Sequence, residues 1–192
     1  MIKKAEENKK YMGVYVDEES NELLNGKIIV GYASRSVAMM SLVYAEKDGE
    51  IYFFVQQRGP KCPDHVGKWA FSSGYLSWHE TRKQGAIREL YEETGLKIPE
   101  NIVQEWKTID DPEKDARENI VTRYIIKLDY DTLKEDLQNG TINWQKAAER
   151  GGKDGEVSGL MLVSREEIKN YELAFNHDQV IEEFIKEFID VH

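Results

Sequence analysis

The stretch Gly74-Tyr-Leu-Ser-Trp-His-Glu80-Thr-Arg-Lys-Gln-Gly-Ala-Ile-Arg88-Glu89-Leu90-Tyr-Glu92-Glu93-Thr-Gly95-Leu96 decides how the whole chain is interpreted. From about Glu80 to Thr94 the apolar residues recur at helical spacing, which predicts an α-helix. Gly95 comes directly after that segment and suits the left-handed residue that ends many helices. We therefore expect a loop that leads into one well-delimited helix.

Three glutamates of this helix, Glu89, Glu92 and Glu93, are spaced i, i+3 and i+4, so their carboxylates leave the same face. Carboxylates this close repel one another unless a cation neutralises them, and Mg²⁺ prefers oxygen ligands of this kind. Arg88 lies one turn before Glu92 and can pair with it. The pattern favours a metal platform over the alternative of a solvated, glutamate-rich helix face.

The same stretch resembles the Nudix box, which runs Gly, five residues, Glu, seven residues, and then Arg-Glu-apolar-x-Glu-Glu-x-Gly-apolar. Every fixed position is filled: Gly74, Glu80, Arg88, Glu89, Leu90, Glu92, Glu93, Gly95 and Leu96. The resemblance implies a Nudix hydrolase, with an ADP-ribose pyrophosphatase-like protein as the narrower expectation. It also implies the Nudix fold, a single α+β or α/β domain with a mixed sheet sandwiched between helices. One departure is that Ser72-Ser73-Gly74 stands where family members usually carry Pro-Gly-Gly.

The resemblance implies a metal-dependent hydrolase that cleaves a diphosphate bond in a nucleoside diphosphate linked to another moiety. The expected cofactor is Mg²⁺, with Mn²⁺ as the alternative. The metal ligands that the family pattern implies are Glu89, Glu92, Glu93 and the backbone carbonyl of Ser73. Gly74, Glu80 and Gly95 are expected to support the site structurally.

Catalysis is expected to involve Glu92, Glu93 and Arg88, with Arg88 acting electrostatically. In several family members a glutamate on a late loop is the general base, and Glu156, directly before a predicted strand, stands at the matching place. Glu149 and Asp154 are the alternatives to Glu156, because a base is identified by its reach to the attacking water.

Two further residues are candidates for substrate binding. Arg58 ends a predicted strand and can contact phosphate, the alternative being an exposed cation. Tyr75 lies inside the box loop and can flank a base, the alternative being a packed loop. Cys62 has no evident activating partner and is expected to be inert, and His177 is expected to be structural.

The substrate expectation rests on Pro112, which lies sixteen residues beyond Leu96, as in ADP-ribose-cleaving family members. We therefore expect cleavage of ADP-ribose to AMP and ribose 5-phosphate. Nucleoside triphosphates and sugar nucleotides are alternative substrates, and a non-catalytic nucleotide-binding Nudix sensor is the alternative of a different class.

Composition limits the partners of the protein. The chain has 192 residues, a formal net charge of −10 and one cysteine. An acidic protein lacks the basic surface that a general nucleic-acid contact needs, so we expect a small-molecule nucleotide as substrate and no nucleic acid. No apolar run reaches transmembrane length, and the lone cysteine fits a reducing compartment, so we expect no membrane association and a cytoplasmic location.

The remaining chain is organised around the box. We predict a polar extension or edge strand over residues 1–25 and a Nudix hydrolase domain over 26–192. The segment Tyr11 to Val16 is either an edge strand, which would favour a homodimer, or a flexible arm. Strands are predicted at 27–32, 37–44, 51–57, 69–71, 102–109, 120–128 and 157–163, with a hairpin turn at 47–50, a short helix at 131–137 and a last helix capped by Asn176.

Overall fold

Alternating apolar residues build most of this molecule as strands, and the computed structural model describes residues 2–8, 12–17, 29–32, 35–111, 113 and 119–190. The chain divides into two units, residues 1–35 and 36–192. In the described part of the first unit, antiparallel strands pair in the order β1-β2-β3: β1 (Ile2–Asn8), β2 (Met12–Asp17) and β3 (Ile29–Tyr32). The segment near Tyr11 is therefore a strand over Met12–Asp17, as one of the two interpretations had it. The expectation that it is an edge strand is wrong, because β2 pairs with β1 on one side and with β3 on the other, and β1 was not expected. The domain boundary at residue 25 stays a prediction.

The second unit contains a sheet of seven strands. These are β4 (Val37–Lys47), β5 (Glu50–Arg58), β6 (Trp69–Ala70), β7 (Ser72–Tyr75), β8 (Gln104–Ile109), β9 (Ile120–Asp129) and β10 (Val157–Ser164). The order is β10-β5-β4-β9-β8, with β6 paired to β5 and β7 paired to β4. Only β4 and β9 pair in parallel among these strands, so the sheet is mixed, as predicted.

The turn between β4 and β5 follows the predicted chemistry. Asp48 and Gly49 both have positive φ, 54° and 81°, which is the conformation that a two-residue hairpin turn requires.

Helices cover both faces of this sheet. They are α1 (Arg82–Thr94), α2 (Tyr130–Gln138) and α3 (His177–Phe184), which continues as a π-helical turn over Ile185–Ile189. Because side chains alternate along a strand, Met39 and Val43 pack under α1 and α2, whereas Met40 and Leu42 pack under α3. This layering confirms the predicted sandwich. Three short 3₁₀ helices lie at Glu100–Ile102, Ala148–Arg150 and Glu167–Asn170.

The predictions for the ends of α1 and for the start of α3 have different outcomes. Helix α1 begins at a capping box, in which the Thr81 side chain accepts from the Gln84 amide, and it ends at left-handed Gly95, as predicted. Asn176 does occupy the position before α3, but the expectation that its side chain caps the helix is wrong. Its φ of −110° and ψ of 31° are not the extended backbone from which a cap reaches the next turn. No helix in the described ranges has the length and apolar character needed to cross a membrane.

Candidate active site

The box residues form a clamp around one guanidinium group. Nε and Nη2 of Arg88 donate to the two carboxylate oxygens of Glu80 at 2.9 and 2.8 Å. Nη1 donates to Oε1 of Glu89 and to Oε2 of Glu92, and Nη2 also reaches the Tyr75 carbonyl at 3.2 Å. The hydrogen bonds from Arg88 hold the pKa of Glu80 below its usual value. Arg88 therefore ties the loop before the helix to two of the three glutamates that are expected to bind the metal.

Glu89 lies against β7, the strand that carries Gly74. A Cβ atom added at Gly74 would lie 2.0 Å from the Glu89 carboxylate carbon, so any larger residue would displace that carboxylate. Burial raises the pKa of Glu89, the paired Arg88 lowers it, and the charges of Glu92 and Glu156 raise it further. Gly74 therefore leaves room for the Glu89 carboxylate because it lacks a side chain.

Glu93 is the most perturbed acid of the site. Its pKa is raised to about 8, mainly because its carboxylate is buried, with further increases from Glu89 and Glu156. Hydrogen bonds from Ser72 and Gln56 oppose that shift, and the Ser72 bond measures 2.5 Å between Oγ and Oε2. A carboxylate surrounded by like charges in a buried place is stabilised in its ionised form by a cation.

Glu92 faces a different part of the chain from Glu93. Its carboxylate pairs with Arg88 at 2.9 Å and lies beneath Gly151, where an added Cβ would be 3.1 Å from Oε1. Glu92 thus lies against the segment after Ala148–Arg150, whereas the charge of Glu156 acts on Glu89 and Glu93.

Glu156 stands on a loop whose backbone is bonded to the end of β5. The Gly59 amide donates to the Glu156 carbonyl at 2.8 Å, and the Lys61 amide donates to Gly155 at 2.9 Å. The Cys62 thiol also donates to the Glu156 carbonyl, at 3.1 Å, and burial raises the pKa of that thiol. A raised thiol pKa agrees with an unreactive cysteine. Of the three late acids that we considered, Glu156 is the one whose charge acts on Glu89 and Glu93.

The donor set fits a hard divalent cation in its chemistry. All of the donor atoms are oxygens, which such cations prefer. Among the described residues, Oε1 of the buried Gln56, whose side chain bonds to Glu93, has no hydrogen-bond partner. Within those same residues no three His, Cys, Asp or Glu side chains stand in a ready-made metal-holding arrangement. Arg88 is bonded to Glu89 and Glu92, so these two carboxylates are directed at its guanidinium group.

A cleft of about 120 Å³ lies beside these acids, between β4, β9 and the start of α3. Ser73, Gly74 and Tyr75 line it on the side of the box. Arg58 lines it too, but its guanidinium group is paired with Asp64 at 2.8 Å and lies 4.9 Å above the Phe175 ring. The exposed-cation alternative for Arg58 is therefore wrong, because only 12% of its side chain is accessible. Tyr75 is 47% exposed, so its ring is not packed into the loop.

Sequence reasoning missed several residues of this cleft, most clearly Arg123 and Asn119. Arg123 is 5% exposed in the middle of β9, and its Nη1 donates to Glu183 at 2.6 Å. The available signal was the position of Arg123 inside a predicted strand, between Val121 and the apolar residues Ile125 and Ile126. Pro112, which carried the substrate expectation, lies outside the described residues.

Comparison with known proteins identifies the family of this chain. The NUDIX domain model matches residues 34–184. No curated protein matches the sequence. Among solved structures, the fold is similar to the NUDIX domain of NrtR from Shewanella oneidensis in a cocrystal with ADP ribose, with a TM-score of 0.62 and 18% identity over 80% of this chain and 88% of that one.

Two further structures show the same fold. One is a bifunctional NMN adenylyltransferase/ADP ribose pyrophosphatase from Francisella tularensis complexed with AMP and a Mn ion, with a TM-score of 0.56 and 20% identity over 88% of this chain. This chain spans 45% of that protein's length. The other is a mutT/nudix family protein from Listeria innocua, with a TM-score of 0.52 and 22% identity over 80% of this chain and 94% of that one. The family match over most of the chain, with the filled box and the layered sheet, shows that this protein belongs to the Nudix family.

Proposed function

We propose that this protein hydrolyses a diphosphate bond in a nucleoside diphosphate linked to another moiety, and that the reaction depends on a divalent metal. The observation that carries the proposal is the grouping of Glu89, Glu93 and Glu156, whose charges act on one another beside a cleft that contains Arg58. Nudix family members are typically pyrophosphohydrolases, which supports this reaction class.

Mg²⁺, or Mn²⁺ as the alternative, would be held by Glu89, Glu92, Glu93 and the Ser73 carbonyl. When bound, such an ion neutralises diphosphate charge and makes water a stronger nucleophile near neutral pH. Arg88 would keep Glu89 and Glu92 oriented, as its hydrogen bonds suggest. Glu156 would accept the proton of the attacking water, because its side chain is partly accessible and its backbone is held in place.

ADP-ribose is our proposed substrate, with AMP and ribose 5-phosphate as products. Two of the similar structures concern proteins whose names or ligands involve ADP-ribose, which supports this choice over a nucleoside triphosphate or a sugar nucleotide. A homodimer built through the N-terminal strands is part of the same proposal. In the described part of that sheet β1 and β3 each pair on one side only, and such edges can pair with another chain.

A nucleotide-binding sensor is the second candidate function. NrtR, whose NUDIX domain is similar in fold, has been crystallised with a 27mer DNA as well as with ADP ribose. The filled box and the net charge of −10 favour hydrolysis over DNA-linked sensing in this chain.

Product identification tests the proposal. The protein is incubated with Mg²⁺ or Mn²⁺ and with ADP-ribose, a nucleoside triphosphate or a sugar nucleotide, and the products are separated by chromatography. We expect AMP and ribose 5-phosphate from ADP-ribose, and Glu156→Gln should lower kcat with little change in KM. Tight ADP-ribose binding without any turnover would contradict hydrolysis and support the sensor.

Separate experiments test which residue is the general base and whether the protein forms a dimer. A fully active Glu156→Gln beside an inactive Glu149→Gln or Asp154→Asn would move the base to another residue of that segment. A dimer by light scattering that loses most activity when residues 1–25 are removed would support the N-terminal strands as its interface. A monomer that tolerates the truncation would refute the assembly and leave the reaction class untouched.

A further inference from the structure

One side chain of the cleft, His177, is held in a single tautomer by the backbone. The amide of Phe71 donates a hydrogen bond to its Nδ1 at 3.1 Å. A neutral imidazole that accepts at Nδ1 carries its proton on Nε2. Burial, together with the charges of Arg123, Arg58 and His65, lowers the pKa of His177 to about 3. His177 therefore offers Nε2–H as an uncharged donor throughout the neutral pH range.

This donor has no acceptor in the protein, as far as the described residues extend. Among the described residues, the His177 side chain makes one hydrogen bond, which it accepts from the Phe71 amide. Within the same residues, the solvent-inaccessible side-chain nitrogen and oxygen atoms that lack a hydrogen-bond partner are Oε1 of Gln56 and Oδ1 of Asn143. Nε2 of His177 is not among them, so this atom is accessible to solvent. His177 lines the cleft, and a ligand there can reach Nε2.

The surroundings of His177 suit a flat ring. The Phe175 ring, which lines the cleft, has its centroid 5.5 Å from the imidazole. Met40 and Val180 add apolar surface to the cleft. Its volume of about 120 Å³ is below the roughly 300–1,000 Å³ of sites that enclose a whole drug-sized ligand. The cleft as a whole therefore encloses room for about one ring system, and the rest of a nucleotide would extend out of it.

The two arginines at the His177 end of the cleft are already paired with carboxylates. Arg58 is paired with Asp64 at 2.8 Å, and Arg123 is paired with Glu183 at 2.6 Å. An additional anionic group of the ligand would compete with these carboxylates, whereas a neutral ring needs only an acceptor for the free donor. The balance favours the base of a nucleotide over one of its phosphates.

We propose that this end of the cleft binds the nucleobase of the substrate, and that Nε2–H of His177 donates to an acceptor atom in the ring. The inference rests on the proposed nucleotide-binding function of the same cleft. Ser73 and Gly74 line the cleft towards Glu89, so a base beside His177 leaves the diphosphate on the side of the box carboxylates. His177 is then a determinant of base specificity as well as a support for the Phe71 backbone.

Two substitutions separate these roles. His177→Asn keeps an acceptor at the place of Nδ1 and removes the donor, whereas His177→Gln keeps a donor at the place of Nε2 and removes the Nδ1 acceptor. The measurement is the Kd of AMP in the presence of Mg²⁺ by calorimetry, because AMP has no diphosphate bond to cleave. We expect about 3- to 10-fold weaker binding for His177→Asn, the usual size of one net hydrogen bond, and less loss for His177→Gln. Binding by His177→Asn that equals the wild type would overturn the proposal.

Ring analogues test the same contact in the unmodified protein, so the result does not depend on how the variants fold. The 1-deaza, 3-deaza and 7-deaza analogues of AMP each replace one acceptor nitrogen of adenine by a CH group. We expect one of them to bind about 3- to 10-fold more weakly than AMP. Equal binding of all three, or binding of ribose 5-phosphate as tight as that of AMP, would refute base recognition by His177. A protein that shows the analogue effect and hydrolyses nothing would refute the proposed reaction and keep this inference.

Discussion

Helices α1 and α3 lie on opposite faces of one sheet and are built by different rules. Helix α1 begins at the reciprocal Thr81–Gln84 capping box, ends at left-handed Gly95 and carries the charged clamp around Arg88. Helix α3 begins at Asn176 without a side-chain cap and runs into a π-helical turn. What holds α3 is a set of buried apolar side chains: Val180, Ile181, Phe184 and Ile185.

The difference shows which information lies in a short stretch of sequence and which lies in packing. The ends of α1 are set by neighbours within four residues, so local rules find them. The course of α3 is set by residues from β4, β5 and β8 that pack under it, such as Tyr44, Phe53 and Trp106. Helix α1 therefore carries the glutamates that we propose as metal ligands, and α3 supplies one wall of the cleft.

The largest effect on stability is expected in α3. Phe184 is fully buried and contacts the rings of Tyr44, Phe53 and Trp106. Phe184→Ala should lower the free energy of unfolding by about 3–5 kcal/mol, because it removes contacts and leaves a cavity. Urea denaturation followed by fluorescence measures this loss. Phe188→Ala is the control, since Phe188 is 46% exposed and should cost far less; equal losses would contradict the packing account.

In α1 the largest effect is expected on turnover. Glu93→Gln keeps the shape of the side chain, removes one proposed metal ligand and should lower kcat by at least about 100-fold, since even outer partners of metal ligands cost about 10- to 100-fold. Its stability should change little, because a pKa of about 8 leaves the Glu93 carboxyl mostly neutral near pH 7, as the Gln amide is. Steady-state kinetics at saturating Mg²⁺ provide the measurement. Glu182→Gln, an exposed acid of α3, should keep full activity, and a wild-type kcat for Glu93→Gln would refute the ligand assignment.

Acid should lower the free energy of unfolding through His177, the first residue of α3. Its folded pKa of about 3 lies below its usual value near 6.5, so the unfolded chain binds more protons between these two values. Stability from this group is therefore complete above about pH 6.5 and is lost as the pH falls towards 3. At pH 5 the loss amounts to about 2 kcal/mol. The wild type should lose this much more than His177→Asn between pH 7 and pH 5, and parallel curves for the two proteins would exclude the effect.

The smallest effect compares the two helix starts directly. Thr81→Ala removes a side-chain cap and should cost about 1 kcal/mol of unfolding free energy. Asn176→Ala removes no such bond and should change stability by less than about 0.5 kcal/mol. Thermal or urea unfolding distinguishes these values. A loss for Asn176→Ala as large as that for Thr81→Ala would mean that the two helix starts are alike after all.

The same contrast explains what could be predicted from the sequence. The hairpin at Asp48-Gly49, the box helix and the strands at 37–44, 51–57 and 120–128 follow from local turn chemistry and alternation, and the structure confirms them. Asn119, Arg123 and His177 meet in one cleft only because β9 pairs in parallel with β4 and α3 packs nearby. Such non-local pairings leave no periodic trace in the chain. For the same reason Arg58 was left open between a phosphate contact and an exposed cation, since its partner Asp64 is a feature of the folded loop.

The bonded loop beneath Glu156 has a consequence for the temperature dependence of the reaction. Because the amides of Gly59 and Lys61 and the thiol of Cys62 already hold this loop, its backbone is ordered before any nucleotide arrives. A general base on such a loop needs only side-chain rotation to reach its water, so the activation entropy of hydrolysis should be small. Gly59 makes this close approach possible, since an added Cβ would lie 2.3 Å from the Gly155 carbonyl oxygen. Gly59→Ala should therefore separate the two loops and make the activation entropy more unfavourable, which an Eyring plot of kcat would reveal.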